Sequence, residues 1–515
     1  MPKTYLIGVD LGTSATKAAI YTPDGTLVAE ASQDVPVYTL RPGVVEQEND
    51  DFYTSAAATV RACLQKSGIA PSQVAAIAFD SQMAGIGSID EQFKPAARFD
   101  SWLDMRCQPY VEWMERTAGD LVTRSTGCPP SCNHGPKMLW WQHERPQEYA
   151  RIARFVTPAG YVAGSMAGLR AEQAFMDFTF IHFSGASDSQ AMCWSAELAR
   201  VTGIDLSKLP RIVPPWEVIG AVTPAAARDF SLAAGTPIAA GCGDTAACAL
   251  GAGVVRPGML YDTAGTAAVL AACTQRMVAD TKQRALLSMH SIIPGLYHPL
   301  AYIAGGGLAL RWFRDEFFRR RGGQAEPDEN DLYEAMIAMA LQAPPGADGL
   351  LFSPHLGGRI CPAAPAMRGA WIGFSWGHTQ AHFLRAILES IAFEYAYYLS
   401  ILVEQLPELR LLETRAVGGG ARSQAWNQIK ADVLNVPYRR LSRSEFGTWG
   451  SALVAGKAVG LFDDLASKAQ ETTQAVGEPI LPSAEAHAVY APRLKQYIAL
   501  QSNLAAYFNS QESQP

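Results

Sequence analysis

The run Asp10-Leu11-Gly12-Thr13-Ser14-Ala15-Thr16-Lys17 places an acid, a base, a glycine and three hydroxyls within eight residues. Such a loop can turn backbone N–H groups and hydroxyls toward phosphate oxygens, because Gly12 lets the backbone come close. A carboxylate at position 10 can hold Mg2+, usually through water. A plain β-hairpin with a polar tip would read the same way. A second copy favours the phosphate reading. Gly258 to Leu270 repeats the form, with Gly12-Thr13-Ser14-Ala15 lining up with Gly265-Thr266-Ala267-Ala268 roughly half a chain later. Two related halves, each presenting a Gly-Thr loop, can grip a polyphosphate from two sides, as a hinged two-lobed nucleotide enzyme would.

A third place is Gly241-Cys242-Gly243-Asp244-Thr245-Ala246-Ala247. Glycines flank a single acid there, and small residues follow. Asp244 could act as general base on a hydroxyl, or cap the helix that begins beside it, or do both. Asp80-Ser81-Gln82-Met83-Ala84-Gly85 ends an apolar run, and the carboxyl end of a strand is where open α/β sheets put ligands. Phe99 to Arg106 brings Trp102, Asp104 and Arg106 together. An aromatic face and charged groups suit a sugar, and an Asp–Arg pair of no further consequence suits the spacing equally. Gly418-Gly419-Gly420-Ala421-Arg422-Ser423 is a glycine-rich turn that a flat base or phosphate can approach closely.

These groups need elements to hold them. Tyr5 to Val9 and Ala18 to Tyr21 are β-favouring runs on either side of the first loop, and Thr22-Pro23-Asp24-Gly25 is a turn. Gln47 to Gly68 is helical, with Phe52, Ala56, Val60 and Leu64 on one face. Val74 to Phe79, Pro237 to Ala240 and Leu412 to Val417 read as strands, each opening into one of the polar places. Asn133-His134-Gly135-Pro136-Lys137 starts a helix with a heavy apolar face. Asp177, His182 and Asp188 lie in a polar connector. Gln380 to Glu404 is a long helix with Leu384, Ile387, Leu388, Ile391 and Tyr395 in register.

With 515 residues the chain can form two or more domains with real cores. Hydrophobic content of 48% and charged content of 18% are those of a soluble globular enzyme. A net charge of −7 argues against a nucleic-acid or membrane-surface partner, so phosphates would have to be met locally. Nine scattered cysteines are not a disulfide framework. Cys128 and Cys132 lack the second pair a zinc site needs. The start of the chain has no signal-peptide pattern, and no uninterrupted apolar run is long enough to span a membrane. A reducing, cytoplasmic setting is the expectation.

Taken together, these motifs resemble the FGGY carbohydrate kinases along nearly the whole chain. The matching pieces are Asp10-Leu11-Gly12-Thr13-Ser14, Ser101-Trp102-Leu103-Asp104-Met105-Arg106, Gly241 to Ala247, Ala264-Gly265-Thr266 and Gly418 to Ser423. Gly369-Ala370-Trp371-Ile372-Gly373-Phe374 with His382 to Glu389 is similar to the family's C-terminal signature, although Phe374 replaces a smaller aliphatic. Lys137-Met138-Leu139-Trp140 fits the other signature, while Cys132 and His134 depart from it. The resemblance implies an α/β fold of two actin/hexokinase-like (ribonuclease H-like) lobes. Each lobe would hold a mixed five-stranded sheet flanked by helices, with a ligand cleft between the lobes. Residues 1–252 would form a sugar-binding lobe, 253–480 an ATP-binding lobe and 481–515 a helical tail. ATP and Mg2+ would be required. By the same resemblance Asp244 is the general base, and Asp10 holds Mg2+ with Asp244 nearby. Thr13, Ser14 and Lys17 meet the γ-phosphate, with Gly265 and Thr266 opposite. Gly419, Gly420, Ala421 and Gln424 border the adenosine. Phosphoryl transfer needs this positioning more than covalent chemistry. A homodimer is the implied assembly.

The sugar site would use Gln82, Met83, Trp102, Asp104 and Asp244. Gln82-Met83-Ala84 resembles the Gln-Met-His of xylulose kinases and the Gln-Arg-Glu of glycerol kinases. Ala84 cannot bond a hydroxyl, and Met83 lacks arginine's donors, which argues against glycerol. A hydroxyl left without its partner is costly, so Ala84 should change which sugar fits; Asp177, His182 or His134 could compensate. The expected activity is ATP-dependent phosphorylation of a primary hydroxyl of a small ketose, a pentulose such as xylulose. A kinase for a polyol or deoxy-ketose and a non-catalytic ATP- and sugar-binding regulator are the alternatives, with an actin- or chaperone-type ATPase further off.

Overall fold

The structure is a computed structural model that describes residues 4–265, 267–318, 329–443 and 445–512. Its first sheet grows from the opening hairpin. Tyr5–Leu11, Ala15–Tyr21 and Leu27–Asp34 pair antiparallel in succession. Val74–Ser81 then lies parallel to Tyr5–Leu11, and Pro237–Ala239 with Cys242–Gly243 runs parallel to Val74–Ser81. Val218–Ala221 adds an antiparallel edge. Asn49–Ser67 covers one face through Phe52, Ala56, Val60 and Leu64, the face its periodicity predicts.

The second sheet repeats the plan. Met259–Ala264 pairs antiparallel with Ala268–Ala272, which pairs antiparallel with Tyr297–Ile303. Glu413–Val417 and Tyr438–Leu441 follow in parallel. The five strands implied for each lobe are therefore present in the same order and direction. Leu287–His290 and Ala475–Ile480 extend the second sheet at its two edges. Gln380–Gln405 is long and apolar enough to cross a membrane by length and composition, but it lies buried in the second core. Ala484–Glu512 packs against that helix and against Gln424–Leu434.

Two helices join the sheets. Asp244–Gly251 leaves the first sheet directly, while Phe446–Ala458 follows the second sheet in the chain yet packs on Tyr5–Leu11 and Val74–Ser81. They cross backbone against backbone. A Cβ at Gly450 would overlap the Ala247 carbonyl oxygen, one at Gly251 the Phe446 carbonyl, and one at Gly8 the Thr448 carbonyl. Their shared apolar cluster includes Ala246, Leu250, Trp449 and Leu453 together with Tyr261 and Val417 of the second sheet.

Candidate active site

Strand register decides which acids meet. Asp10 stands opposite Asp80 in the parallel ladder, and Asp80 stands opposite Cys242, two residues before Asp244. Three carboxylates thus gather at the carboxyl edge of one sheet. Asp80 is fully buried, while Asp10 and Asp244 keep part of their surface open. Ser451 on the crossing helix donates to Asp80 Oδ2 at 2.6 Å, and the Asp80 carboxyl also hydrogen-bonds Asp10. Gly447 lies over the group: a Cβ there would be 3.3 Å from Asp80 Oδ1 and 3.6 Å from Asp10 Oδ2.

Burial and mutual charge hold these acids toward the protonated form. Burial, then the charge of Asp10, pushes Asp244 up to about 7 against hydrogen bonds from Thr245. Burial raises Asp10 to about 6, with Lys17 and a hydrogen bond to Asp80 opposing. Asp80 lies well above the carboxylate range, first through burial and then through Asp10. Asp244 begins its helix after Gly243 and bonds the N–H and hydroxyl of Thr245, so it carries the partial positive end of the helix as well. Asp80 is the acid that sequence reasoning left out of the site. Its signal was a lone carboxylate ending an apolar strand, but only the register shows which residue it faces.

Thr13 joins the loop after Tyr5–Leu11 to Trp102 and Gln82. Its hydroxyl accepts from Trp102 Nε1 at 2.8 Å and lies 3.5 Å from Gln82 Oε1. Gln82 Nε2 donates to Gln47 Oε1 at 2.8 Å, and Gln47 Nε2 donates to the Thr13 carbonyl at 3.0 Å. Gln47 was read only as the start of a helix; it is a buried member of this network. Met83 packs on Gly243, beside the base, and Ser14 is exposed at the loop tip. Lys17 shares the strand face of Asp10, and its Nζ pairs with both Glu445 oxygens at 3.0 and 3.1 Å.

Asp104 is fully buried, and both oxygens are taken. Oδ2 accepts from the Val45 N–H at 2.8 Å, Oδ1 accepts from the Arg106 N–H, and the Arg106 guanidinium reaches both. The same guanidinium pairs with Glu46 at 2.7 Å and lies over Trp140. With both oxygens engaged by Val45 and Arg106, Asp104 anchors the loop that carries Trp102. Lys137, also buried, donates to the Asp104 and Cys132 carbonyls and ties the next helix to that loop.

On the second sheet, Thr263 and Val417 are paired, so the loops at Gly265 and Gly418 leave the same edge. Gly265 donates to the Ala267 carbonyl and accepts from the Gly307 N–H, both at 2.9 Å. Gly420 fits only because it lacks a side chain, since a Cβ would lie 2.6 Å from Ala264 Cβ and 2.8 Å from Trp426. Asn427 Nδ2 holds the Ala421 carbonyl at 2.8 Å, and Ser423 caps the helix that starts at Gln424. Gly265, Gly419 and Gln424 are exposed along this edge. Thr266 lies outside the described residues. The Tyr261 hydroxyl bonds Cys248, one turn beyond Asp244, so the two edges come together at the crossing helices.

Sequence profiles for the FGGY family of carbohydrate kinases match in chain order, the N-terminal domain over residues 5–251 and the C-terminal domain over 260–459. Xylulose kinase from Staphylococcus epidermidis is 27% identical over 501 residues, 97% of each chain. Gluconokinase from Bacillus subtilis is 26% identical over 468 residues, 89% of this chain and 88% of its own. The solved structure of xylulose kinase from Rhodospirillum rubrum superposes with a TM-score of 0.85 at 25% identity, over 98% of this chain and 100% of its own. With both domains matched in order and the fold matched almost end to end, the chain belongs to the FGGY family of carbohydrate kinases.

Proposed function

We propose that the protein transfers the γ-phosphoryl group of ATP to a primary hydroxyl of a small ketose, a pentulose such as xylulose. The observation that carries this reading is Asp244 held near neutrality beside Asp10, on one lobe, with the glycine loops of the other lobe across the crossing helices. A carboxylate with its proton affinity raised to about 7 is suited to take a proton from a hydroxyl as that oxygen attacks phosphorus. Asp10 and Asp244 would hold Mg2+, which when bound neutralises charge on the β- and γ-phosphates. They fit that role: both carboxyls keep part of their surface open, and the charge of Asp10 on Asp244 favours a cation between them. Among the described residues no three His, Cys, Asp or Glu side chains form a metal site by themselves, so phosphate and water would complete the shell. The Thr13 and Ser14 loop would meet the γ-phosphate, while Lys17, already paired with Glu445, would supply charge nearby. Gly265 and Thr266 would face it from the second lobe, with Gly419, Gly420, Ala421 and Gln424 along the adenosine. Gln82, Met83 and Trp102 would receive the sugar. In this reading 1–252 is the sugar lobe, 253–480 the ATP lobe and 481–515 a helical tail. Nine unpaired thiols favour a reducing compartment such as the cytoplasm.

The test is ADP release by purified protein with Mg-ATP across ketoses, polyols, sugar acids and glycerol, against a no-sugar control. One strong ketose responder is expected. Asp244→Asn should lower turnover at least about a thousandfold, beyond the usual share of a general base because it also removes a metal-facing charge. ATP binding by calorimetry should survive the change. Full activity in that variant would remove Asp244 as the base.

A further inference from the structure

His134 and His182 are the only histidines among the described residues with both ring nitrogens buried and outside any close side-chain hydrogen bond. Both are buried, at 0% and 1% exposure. His134 opens the helix His134–Glu144, its ring 6.1 Å from that of Phe180 and 5.5 Å from that of Phe183. His182 lies in the turn Ile181–Phe183 against Phe183, at 3.9 Å between centroids. A neutral imidazole has one donor and one acceptor. Buried polar atoms are nearly always paired, and leaving them unpaired is costly. A backbone hydrogen bond reaches each ring, at Gly85 for His134 and at Thr179 for His182, which leaves each of these two neighbouring rings one nitrogen as capacity held for something else.

Their place says what. The Gly85 backbone lies beside the His134 ring, and Gly85 closes the turn Gln82-Met83-Ala84. Thr179, three residues before His182, accepts from the Gly243 N–H at 2.9 Å, and Gly243 precedes Asp244. Met83, which packs on Gly243, also touches the Met176, Phe178, Phe180 and Ile181 cluster that carries His182. The two rings thus belong to the shell around the sugar turn and the base. In that turn Ala84 has no polar side chain and holds a φ of 61°, a conformation that disfavours a side chain.

We infer that His134 and His182 form a hydroxyl-reading subsite of the sugar pocket, supplying the contacts Ala84 cannot make, and that the substrate they read is an uncharged ketose or polyol and not a sugar acid. This rests on the kinase reading of the same site. The choice of class follows from charge. Burial lowers His134 to about 3, Lys137 adding to it, and burial drives His182 well down too, so both rings are neutral at neutral pH. Lys137 is committed to two carbonyls. A carboxylate would meet no free cation here and has no proton to give an acceptor nitrogen, whereas a hydroxyl can donate to the nitrogen each neutral ring keeps free. The rings are covered in this structure, so the sugar must displace a side chain to reach them. Met83, unbranched and half-buried at the edge of the cluster, can swing aside.

The experiment compares the full-length protein with His134→Leu and His182→Leu, and with phenylalanine at each position so that one failure to fold leaves the comparison standing. Steady-state ADP release gives KM for the best sugar and for ATP, and thermal melting is followed with and without that sugar. Each loss of a hydrogen bond should raise the sugar KM about tenfold. The ATP KM should stay within twofold, the melting point of the free variants should not fall, and the sugar-induced rise in melting point should shrink. An unchanged sugar KM with a lowered melting point at both positions would make the histidines structural and overturn the inference. Faster turnover of gluconate than of any ketose or polyol would overturn the class. If wild type releases no ADP with any sugar, the kinase reading fails, and the subsite then stands or falls on whether the sugar-induced melting shift is lost in the variants.

Discussion

The reactivity proposed for Asp244 comes at a cost in stability. Its carboxyl is pushed from the ordinary value near 3.8 to about 7 in the folded protein, so the folded state holds a proton that the unfolded chain would release. The stability tied to this group is fully present below about pH 4 and is lost as pH rises through 7. Asp244→Asn should therefore melt higher than wild type at pH 8 and close to it at pH 4.5, by calorimetric scans at both values; equal melting points at pH 8 would mean the charge is relieved. The same shift sets the rate profile. At low free Mg2+ the acid limb of kcat/KM for sugar should fall near pH 7, and saturating Mg2+ should move it to lower pH, because a cation favours the ionised acid. A limb near pH 4 at low Mg2+ would contradict the raised carboxyl. At this scale the loop at Asp10 and the acid at Asp244 could be read from glycines, hydroxyls and strand ends alone. Asp80 could not, because its meaning lies in standing opposite Asp10 across a parallel ladder. That Asp104 and Arg106, two residues apart, form a buried pair was not legible either, because nothing local sets their burial.

Helices carry the next level of control. Phe446–Ala458 has Phe446 to Gly456 buried in an unbroken run, so it shows no apolar stripe and no period. That is why single-sequence patterning passes over it, while one-sided helices such as Asn49–Ser67 are plain. Its position is set by missing side chains: Gly450 against the Ala247 carbonyl and Gly8 against the Thr448 carbonyl. Its first turn then reaches the site through Glu445 to Lys17, Thr448 to Tyr21 at 2.8 Å and Ser451 to Asp80. A methyl at Gly450 must push this helix off Asp244–Gly251, which moves the base itself. Gly450→Ala should cost about 1–3 kcal/mol in urea unfolding, as overpacking does, and should lower kcat more than the KM for sugar. A wild-type midpoint and kcat would show that the crossing tolerates separation.

Across the molecule, the duplicated sheets were visible in the repeated Gly-Thr loop, but their extra edge strands and the way they meet were not, since both depend on contacts hundreds of residues apart. Two contacts between the lobes stand out among the described residues. One is the glycine-packed helix crossing. The other joins Gly127 to the Ser288 N–H at 2.8 Å, the Ser189 carbonyl to His290 at 2.6 Å, and Arg284 to Glu115 and Asp120. The crossing is rigid backbone contact and makes a pivot. The second contact combines partly exposed ion pairs, each worth little, with a buried polar bond and the Phe178–His290 ring contact, and it is the one that must yield if the lobes move. The proposed sugar side lies on the first sheet's edge and the glycine loops on the second's, so in this reading reacting atoms must be brought to about 3–3.5 Å by motion between lobes, which would also exclude the water that hydrolyses ATP. Small-angle scattering should show a smaller radius of gyration with sugar and a non-hydrolysable ATP analogue together than with either alone. ADP release without sugar should run at least about a hundredfold slower than with it, because the open site leaves the phosphate and base apart. An unchanged radius with both ligands, or sugar-independent ADP release at the full rate, would mean that the lobes already stand closed and that the second contact is a fixed brace.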